Sequence, residues 1–198
     1  MGGTATPVEI VRDEGRRYHS LLQRRDGVTI RLLGTGQERI GGPVGELPHD
    51  LAHLVVEDAL GLAHGLWGTL AAGGMFGHAT VVAGRRPPHA AARAQAVVDA
   101  AGDHLNEAEV LVRVIADLTR EGLPRTAAVA RTRAGERYAE PLTGDAVVAR
   151  AADALLEAAA AWRSLPVGGS LHRTWRHLPE PPRRPAGDRR RTGARRRR

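Results

Sequence analysis

Residues 40–84 contain four of the nine His residues and four acidic residues, but no Arg. Elsewhere Arg is the most frequent charged residue, and all 29 basic side chains of the chain are Arg. An acidic, histidine-bearing segment without Arg has the composition that a metal site needs, because guanidinium groups compete with a cation for carboxylates. The His residues are His49, His53, His64 and His78, and the acids are Glu46, Asp50, Glu57 and Asp58.

A helix is predicted over residues 48–60, and its polar side chains share one face. Pro48 suits the first position of a helix, and an acidic residue is favourable in the first turn. At about 100° per residue, the polar side chains fall within an arc of about 100°. They are His49, Asp50, His53 and Glu57. Two His residues four positions apart can hold one metal ion from a single helix.

This polar face indicates a site for a divalent metal ion, Zn, Fe or Mn, or for acid–base chemistry. The candidate metal ligands are His49, His53, Glu57 and His64, and the candidate catalytic groups are Asp50 and Glu57. The alternative is a solvent-facing stripe, because a mostly apolar helix at a protein surface still carries one polar face. In that case Asp50 only stabilises the helix N-terminus.

The segment 49–53 resembles the H-E-x-x-H motif of the zincin metalloproteases, with Asp50 in place of Glu. It departs from that motif because Asp is one methylene shorter, and because Pro48 begins the helix directly before the first His. No third ligand follows at a recognised spacing, and we do not assign the chain to the proteases. The residues that could supply a third ligand are Glu57, His64 and His78.

Trp67 lies between two glycines, and Phe76 lies in a second Gly-rich stretch. Core packing is one interpretation, because small residues allow helices to approach closely and an aromatic ring fills the gap. The other is a small-molecule pocket with walls formed by Trp67 and Phe76, which are the candidate ligand-binding residues. His53 and Glu57 would then line such a pocket as its polar groups.

The pattern P-H-D-L-x-H-x-x-V-E, followed by G-x-W-G, runs from Pro48 to Gly68. In this segment the chain is similar to a group of short proteins from GC-rich bacteria. The absence of Lys and the heavy use of Ala and Gly agree with a GC-rich bacterial genome. The resemblance implies no particular activity or cofactor.

Alternating apolar residues between positions 8 and 33 predict three short antiparallel strands, with a hairpin turn at Asp26-Gly27. Helices are predicted at 48–60, within 62–76, and at 88–102, 107–121 and 144–163, with Asn106 and Thr143 capping the last two. Residues 125–141 show no clean period, and 170–175 could form a last strand. We therefore expect an α+β fold, with a small N-terminal antiparallel sheet of about three strands packed against four to five helices.

Several enzyme classes are excluded by residue content. The chain has no Cys, which removes disulfides, thiolate metal sites and cysteine nucleophiles. It contains three Ser and no G-x-S-x-G motif. Without Lys it has no Walker A motif, and Arg39 stands where a dinucleotide-binding loop starting at Gly34 needs its third Gly.

The net charge of +7 belongs to the C-terminal end of the chain. Residues 1–178 are balanced in charge and are expected to form one globular domain. Residues 179–198 are rich in Arg and Pro and are expected to be disordered. Such a tail could bind nucleic acid or an anionic surface weakly and non-specifically, or could be a solubilising extension.

Three functions follow from these features. The first is a small binding or interaction protein, which could form a homo-oligomer, with a His- and carboxylate-lined helix. The second is a metal-dependent or acid–base enzyme centred on His49, His53 and Glu57. The third is a nucleic-acid-associated protein that uses its tail. The N-terminus lacks the pattern of a signal peptide and no membrane span is expected, which predicts a cytoplasmic location.

Overall fold

The computed structural model describes residues 5–34, 46–86 and 88–179, and these form a sheet covered on one face by helices. The sheet has five antiparallel strands in the order β4-β3-β2-β1-β5. The strands are β1 (Thr6–Arg12), β2 (Tyr18–Gln23), β3 (Thr29–Gly34), β4 (Ala79–Ala83) and β5 (Ser170–Trp175). With six α-helices in the described part of the chain, the predicted α+β class is confirmed.

The three predicted N-terminal strands form a meander, and the hairpin at Asp26-Gly27 is confirmed. Gly27 adopts a positive φ of 80°, which a side chain would make strained. Opposite Tyr18, the register places Gly34, where a Cβ atom would overlap the Tyr18 ring. The meander therefore requires glycine at both positions.

The predicted sheet is extended at both edges. Strand β5 covers the predicted residues 170–175 and pairs with β1. Strand β4 was not predicted, because it has only five residues and lacks a clear alternation of buried and exposed side chains. It is held in the sheet by antiparallel pairing with β3.

Six helices follow the meander in the described residues. They are α1 (His49–Leu60), α2 (Leu66–Ala72), α3 (Ala90–Ala101), α4 (His104–Arg120), α5 (Ala127–Ala134) and α6 (Asp145–Ser164), with a short 3-10 turn at Glu136–Tyr138. The prediction for α1 is confirmed, and Gly61 ends it in the left-handed conformation with φ 73°.

Two helix starts differ from the prediction. Helix α4 begins three residues early, after Asp103, and the predicted cap Asn106 instead donates its side-chain amide to Asp103 Oδ1 at 3.2 Å. Helix α6 begins after Gly144 and not after Thr143. The ambiguous stretch 125–141 contains α5, because Thr126 accepts a hydrogen bond from the amide of Val129 and caps it.

The core lies between one face of the sheet and helices α1, α4 and α6. Helix α1 is central, since it packs against both α4 and α6. Three of its polar side chains, Asp50, His53 and Glu57, are buried. The predicted polar face of α1 therefore points into the protein, and the solvent-facing alternative is wrong for these three residues.

No helix within the described residues is long and apolar enough to cross a membrane. Residues 35–45, and residues 180–198 of the predicted tail, lie outside the described residues.

Candidate metal centre

Three ligand-type atoms from two helices converge at one point. His49 Nε2 and His53 Nε2 each lie 3.4 Å from Oε2 of Glu109. The three side chains offer ligand atoms that all lie within 4.8 Å of one another. The His residues come from successive turns of α1, and Glu109 comes from the first half of α4, which packs against α1.

The spacing of these atoms suits a small tetrahedral ion. Two ligand atoms at Zn–N and Zn–O distances of about 2.0–2.1 Å are about 3.3 Å apart at a tetrahedral angle. Both His–Glu109 separations are 3.4 Å. Both His–Glu109 pairs therefore have the separation expected of two ligands on one zinc ion, and all three ligand atoms lie within 4.8 Å of one another.

His53 is held in one orientation by Glu57. The Nδ1–H of His53 donates to Glu57 Oε1 at 2.8 Å, and both side chains are buried. This hydrogen bond leaves the Nε2 lone pair free to act as a ligand. Such a carboxylate–histidine pair is the usual support behind a metal-bound imidazole.

The Glu57 carboxylate is held by hydrogen bonds from the N-terminus of α2. It accepts hydrogen bonds from the backbone amides of Leu66 at 2.9 Å and Trp67 at 3.1 Å. A Cβ atom at Gly65 would overlap this carboxylate, so only glycine fits there without movement. The structure therefore places Glu57 behind His53, on the side away from Nε2.

Asp50 stands in a similar relation to His49, but at a greater distance. Its Oδ1 lies 3.9 Å from His49 Nδ1. Its carboxylate accepts hydrogen bonds from the hydroxyl groups of Ser20 at 2.8 Å and Tyr18 at 3.4 Å. Asp50 is therefore anchored to β2, and each histidine has a carboxylate near Nδ1 and Glu109 near Nε2.

The charged groups of the cluster shift one another's pKa values. Burial lowers the pKa of His49, but the carboxylates of Asp50 and Glu109 outweigh it and raise this pKa to about 10. Burial also opposes protonation of His53, whereas Glu109 and Glu57 raise its pKa above the usual value. The two imidazoles hold the pKa of Glu109 well below its usual range. The cluster thus attracts positive charge, whether protons or a metal ion.

His53 Nε2 has an unmet hydrogen-bonding capacity. The atom is buried, and it has no hydrogen-bond partner among residues 5–34, 46–86 and 88–179. Buried polar atoms are nearly always paired, so such an atom calls for an explanation. A metal ion bound between His53 and Glu109 supplies one.

A cavity of about 340 Å³ opens in front of the cluster. It is lined by His49, Asp50, His53, Leu66, Phe76, His78, Leu105, Asn106 and Glu109. Phe76 and His78 stack with ring centroids 6.2 Å apart and planes 9° apart. His49, His53 and Glu109 therefore line a space large enough for a small molecule.

The structure brings some sequence candidates to this cavity and leaves others away from it. Phe76 is in its wall, whereas Trp67 is fully buried in the core and donates its indole N–H to the backbone oxygen of Asp50 at 2.9 Å. His64 stacks on His104 at 5.1 Å and is not part of the cluster.

Glu109 was missed by the sequence analysis. It belongs to an amphipathic helix that carries two other acidic residues, Glu107 and Asp117, and nothing in its immediate sequence distinguishes it from them. Its contact with His49 and His53 depends on the packing of α4 against α1.

A comparison with protein-family models, with curated proteins and with solved structures finds no match.

Proposed function

We propose that this protein is a metal-dependent enzyme that holds one divalent transition-metal ion between His49, His53 and Glu109. The observation that carries the proposal is the convergence of their three ligand atoms at the wall of a cavity. This proposal keeps the two histidines predicted from the sequence, replaces Glu57 by Glu109 as the third ligand, and leaves Glu57 to orient His53.

The number of ligands favours a catalytic metal over a structural one. Structural zinc sites are closed by four protein ligands, whereas catalytic sites have three protein ligands and an open position. The described residues contribute three ligands, and the cavity lies where a fourth would bind. An ion with such an open position polarises a bound oxygen atom or lowers the pKa of a bound water molecule.

The ligand types favour zinc among the divalent ions. Two imidazoles and one carboxylate form the ligand set of several zinc hydrolases, while Mg²⁺ and Ca²⁺ prefer oxygen ligands alone. The same set also binds Fe(II) when the three ligands occupy one face of an octahedron. The 3.4 Å separations fit the tetrahedral arrangement of zinc, so we expect zinc first and iron or manganese second.

Metal analysis of the full-length protein tests the proposal. The protein is purified without an affinity tag, incubated with zinc, freed of unbound metal and measured by inductively coupled plasma mass spectrometry. We expect about one equivalent of zinc in the parent protein and almost none in His53→Ala. His104→Ala is the matched control, because this histidine is exposed and lies outside the cluster.

Two results would overturn the proposal. One is a folded parent protein that retains no zinc, iron or manganese after incubation with each metal. The other is a His53→Ala variant that keeps the full equivalent. His53 is buried, and its replacement by Ala can destabilise the fold. Glu109→Gln is therefore the second variant, because the Glu109 side chain is 54% exposed and its replacement leaves the core intact.

The binding-protein hypothesis makes the opposite prediction in this experiment, namely no bound metal in any variant. Nucleic-acid binding by the tail, the homo-oligomer and the cytoplasmic location stay predictions, and the tail beyond Pro179 lies outside the described residues.

A further inference from the structure

The cavity in front of His49, His53 and Glu109 is lined by side chains of two chemical kinds. The lining combines the polar groups of the cluster, together with His78 and Asn106, with the apolar side chains of Leu66, Phe76 and Leu105. A molecule that fills the cavity therefore presents a polar group to the cluster and an apolar group to these three apolar side chains.

The charge of the cavity restricts that polar group. No Arg lines the cavity among the described residues, although the chain contains 29 basic residues, all of them Arg. Two carboxylates, Asp50 and Glu109, are in its lining, and a third, Glu57, lies directly behind His53. With a divalent ion and neutral imidazoles, three carboxylates leave the centre with a net charge of about −1.

Such a centre disfavours phosphate groups and polyanions. Proteins recognise phosphate through Arg or Lys side chains, which pair with its oxygens. Here a phosphate would approach three carboxylates without such a side chain in the described lining. An uncharged carbonyl oxygen can approach the ion without this repulsion.

The volume limits the size of the ligand. Ligand pockets in proteins range from about 300 to 1,000 Å³. A cavity of about 340 Å³ is at the lower end of that range and accommodates a small molecule or a single substituent of a larger one.

We propose that the site takes a small, uncharged carbonyl compound, such as an amide or ester, that carries an aromatic or branched apolar group. Its carbonyl oxygen faces the metal ion, and its apolar group contacts Phe76, Leu66 and Leu105. This inference names the substrate class of the proposed metal centre and rests on that proposed function.

Two hydroxamic acids and inorganic phosphate test this inference. Acetohydroxamic acid and benzohydroxamic acid present the same metal-binding oxygens and differ in the apolar group. Their binding to the zinc-loaded, full-length protein is measured by isothermal titration calorimetry. We expect benzohydroxamic acid to bind at least about tenfold more tightly, because its ring is removed from water by the apolar wall. Inorganic phosphate should not compete with either compound.

The variant Phe76→Ala tests whether the apolar side chains of the cavity cause the preference for benzohydroxamic acid. It should reduce the preference for benzohydroxamic acid to within about threefold, while the affinity for acetohydroxamic acid stays the same. Leu105→Ala offers a second variant in the same wall. Leu33→Ala is the matched control, because Leu33 is 51% exposed and lies outside the cavity.

The metal content of each sample separates the two possible failures. A protein without bound metal contradicts the proposed function itself. A protein that binds zinc, but prefers phosphate or shows no preference between the two hydroxamic acids, contradicts only the substrate class. An unchanged preference in both Phe76→Ala and Leu105→Ala would also contradict it.

Discussion

Two pairs of histidines lie close together in this molecule, each beside a glutamate of α4. His49 and His53 have ring centroids 4.3 Å apart, next to Glu109. His64 and His104 have centroids 5.1 Å apart, and His104 Nδ1 lies 2.9 Å from Glu107. The residue types are therefore the same in both places, and the surroundings differ.

The first pair is surrounded by carboxylates, whereas the second is not. Glu109 lies between the Nε2 atoms of His49 and His53, and both rings have an acid near Nδ1. In the second pair, burial and the neighbouring His104 lower the pKa of His64, so protonation of His64 is disfavoured. Under the proposed function, closeness of two imidazoles is therefore insufficient for a metal site, and the arrangement of the carboxylates distinguishes the first pair from the second.

The largest expected effect on zinc affinity distinguishes Glu109 from Glu107. Glu109→Ala removes a proposed ligand and should lower zinc affinity by more than the roughly 100-fold limit typical of residues behind the ligands. Glu107→Ala should leave the affinity unchanged, because Glu107 pairs with His104 at 2.9 Å and is not part of the cluster. Competition with a fluorescent zinc chelator measures both values, and equal losses would refute the comparison.

Glu57→Gln should have the second-largest effect on zinc affinity, because it weakens the hydrogen bond that orients His53 without removing a ligand. We expect zinc affinity to fall by about 10–100-fold, since the amide can no longer accept as strongly from His53 Nδ1–H. Asp58→Asn is the control on the same helix, because Asp58 pairs with His177 and not with the cluster. If both variants bind zinc like the parent protein, Glu57 has no positioning role.

Asp50→Asn should have a smaller effect than Glu57→Gln, within roughly tenfold in zinc affinity. The reason is distance, since Asp50 lies 3.9 Å from His49 and Glu57 lies 2.8 Å from His53. The same chelator competition ranks the two. An Asp50 variant that loses more affinity than the Glu57 variant would show that the longer contact is the more important one.

Gly65→Ala should lower the stability of the protein, and it should weaken zinc binding less than Glu57→Gln does, because it displaces the Glu57 carboxylate without replacing it. Its Cβ atom would overlap the Glu57 carboxylate, and overpacking of this kind costs about 1–3 kcal/mol in the free energy of unfolding. Gly77→Ala is the control, because a Cβ atom there meets open space. Urea denaturation followed by circular dichroism gives both free energies. Equal stabilities would mean that the Glu57 carboxylate moves easily.

Local signals in the sequence predicted the elements that depend on neighbouring residues. The hairpin at Asp26-Gly27 needs a positive φ that Gly27 supplies, and Pro48 and Gly61 mark the start and end of α1. Strand β4 was missed, because its five residues lack a clear alternation of buried and exposed side chains, and because its pairing with β3 is a contact between residues distant in sequence. The start of α4 was placed at Asn106, because a good cap residue there hid the earlier start at Asp103.

The sequence by itself determined that His49, His53 and Glu57 share one face of a helix, because the helical period places residues four apart side by side. The tertiary structure decided the rest. The polar face is buried because the hydroxyl groups of Ser20 and Tyr18 in β2 donate hydrogen bonds to Asp50, and because the backbone amides at the N-terminus of α2 donate to Glu57. Packing of α4 against α1 then placed Glu109 between the two histidines. A residue so distant in sequence enters the site only through the long-range burial of apolar helix faces, which no local pattern encodes.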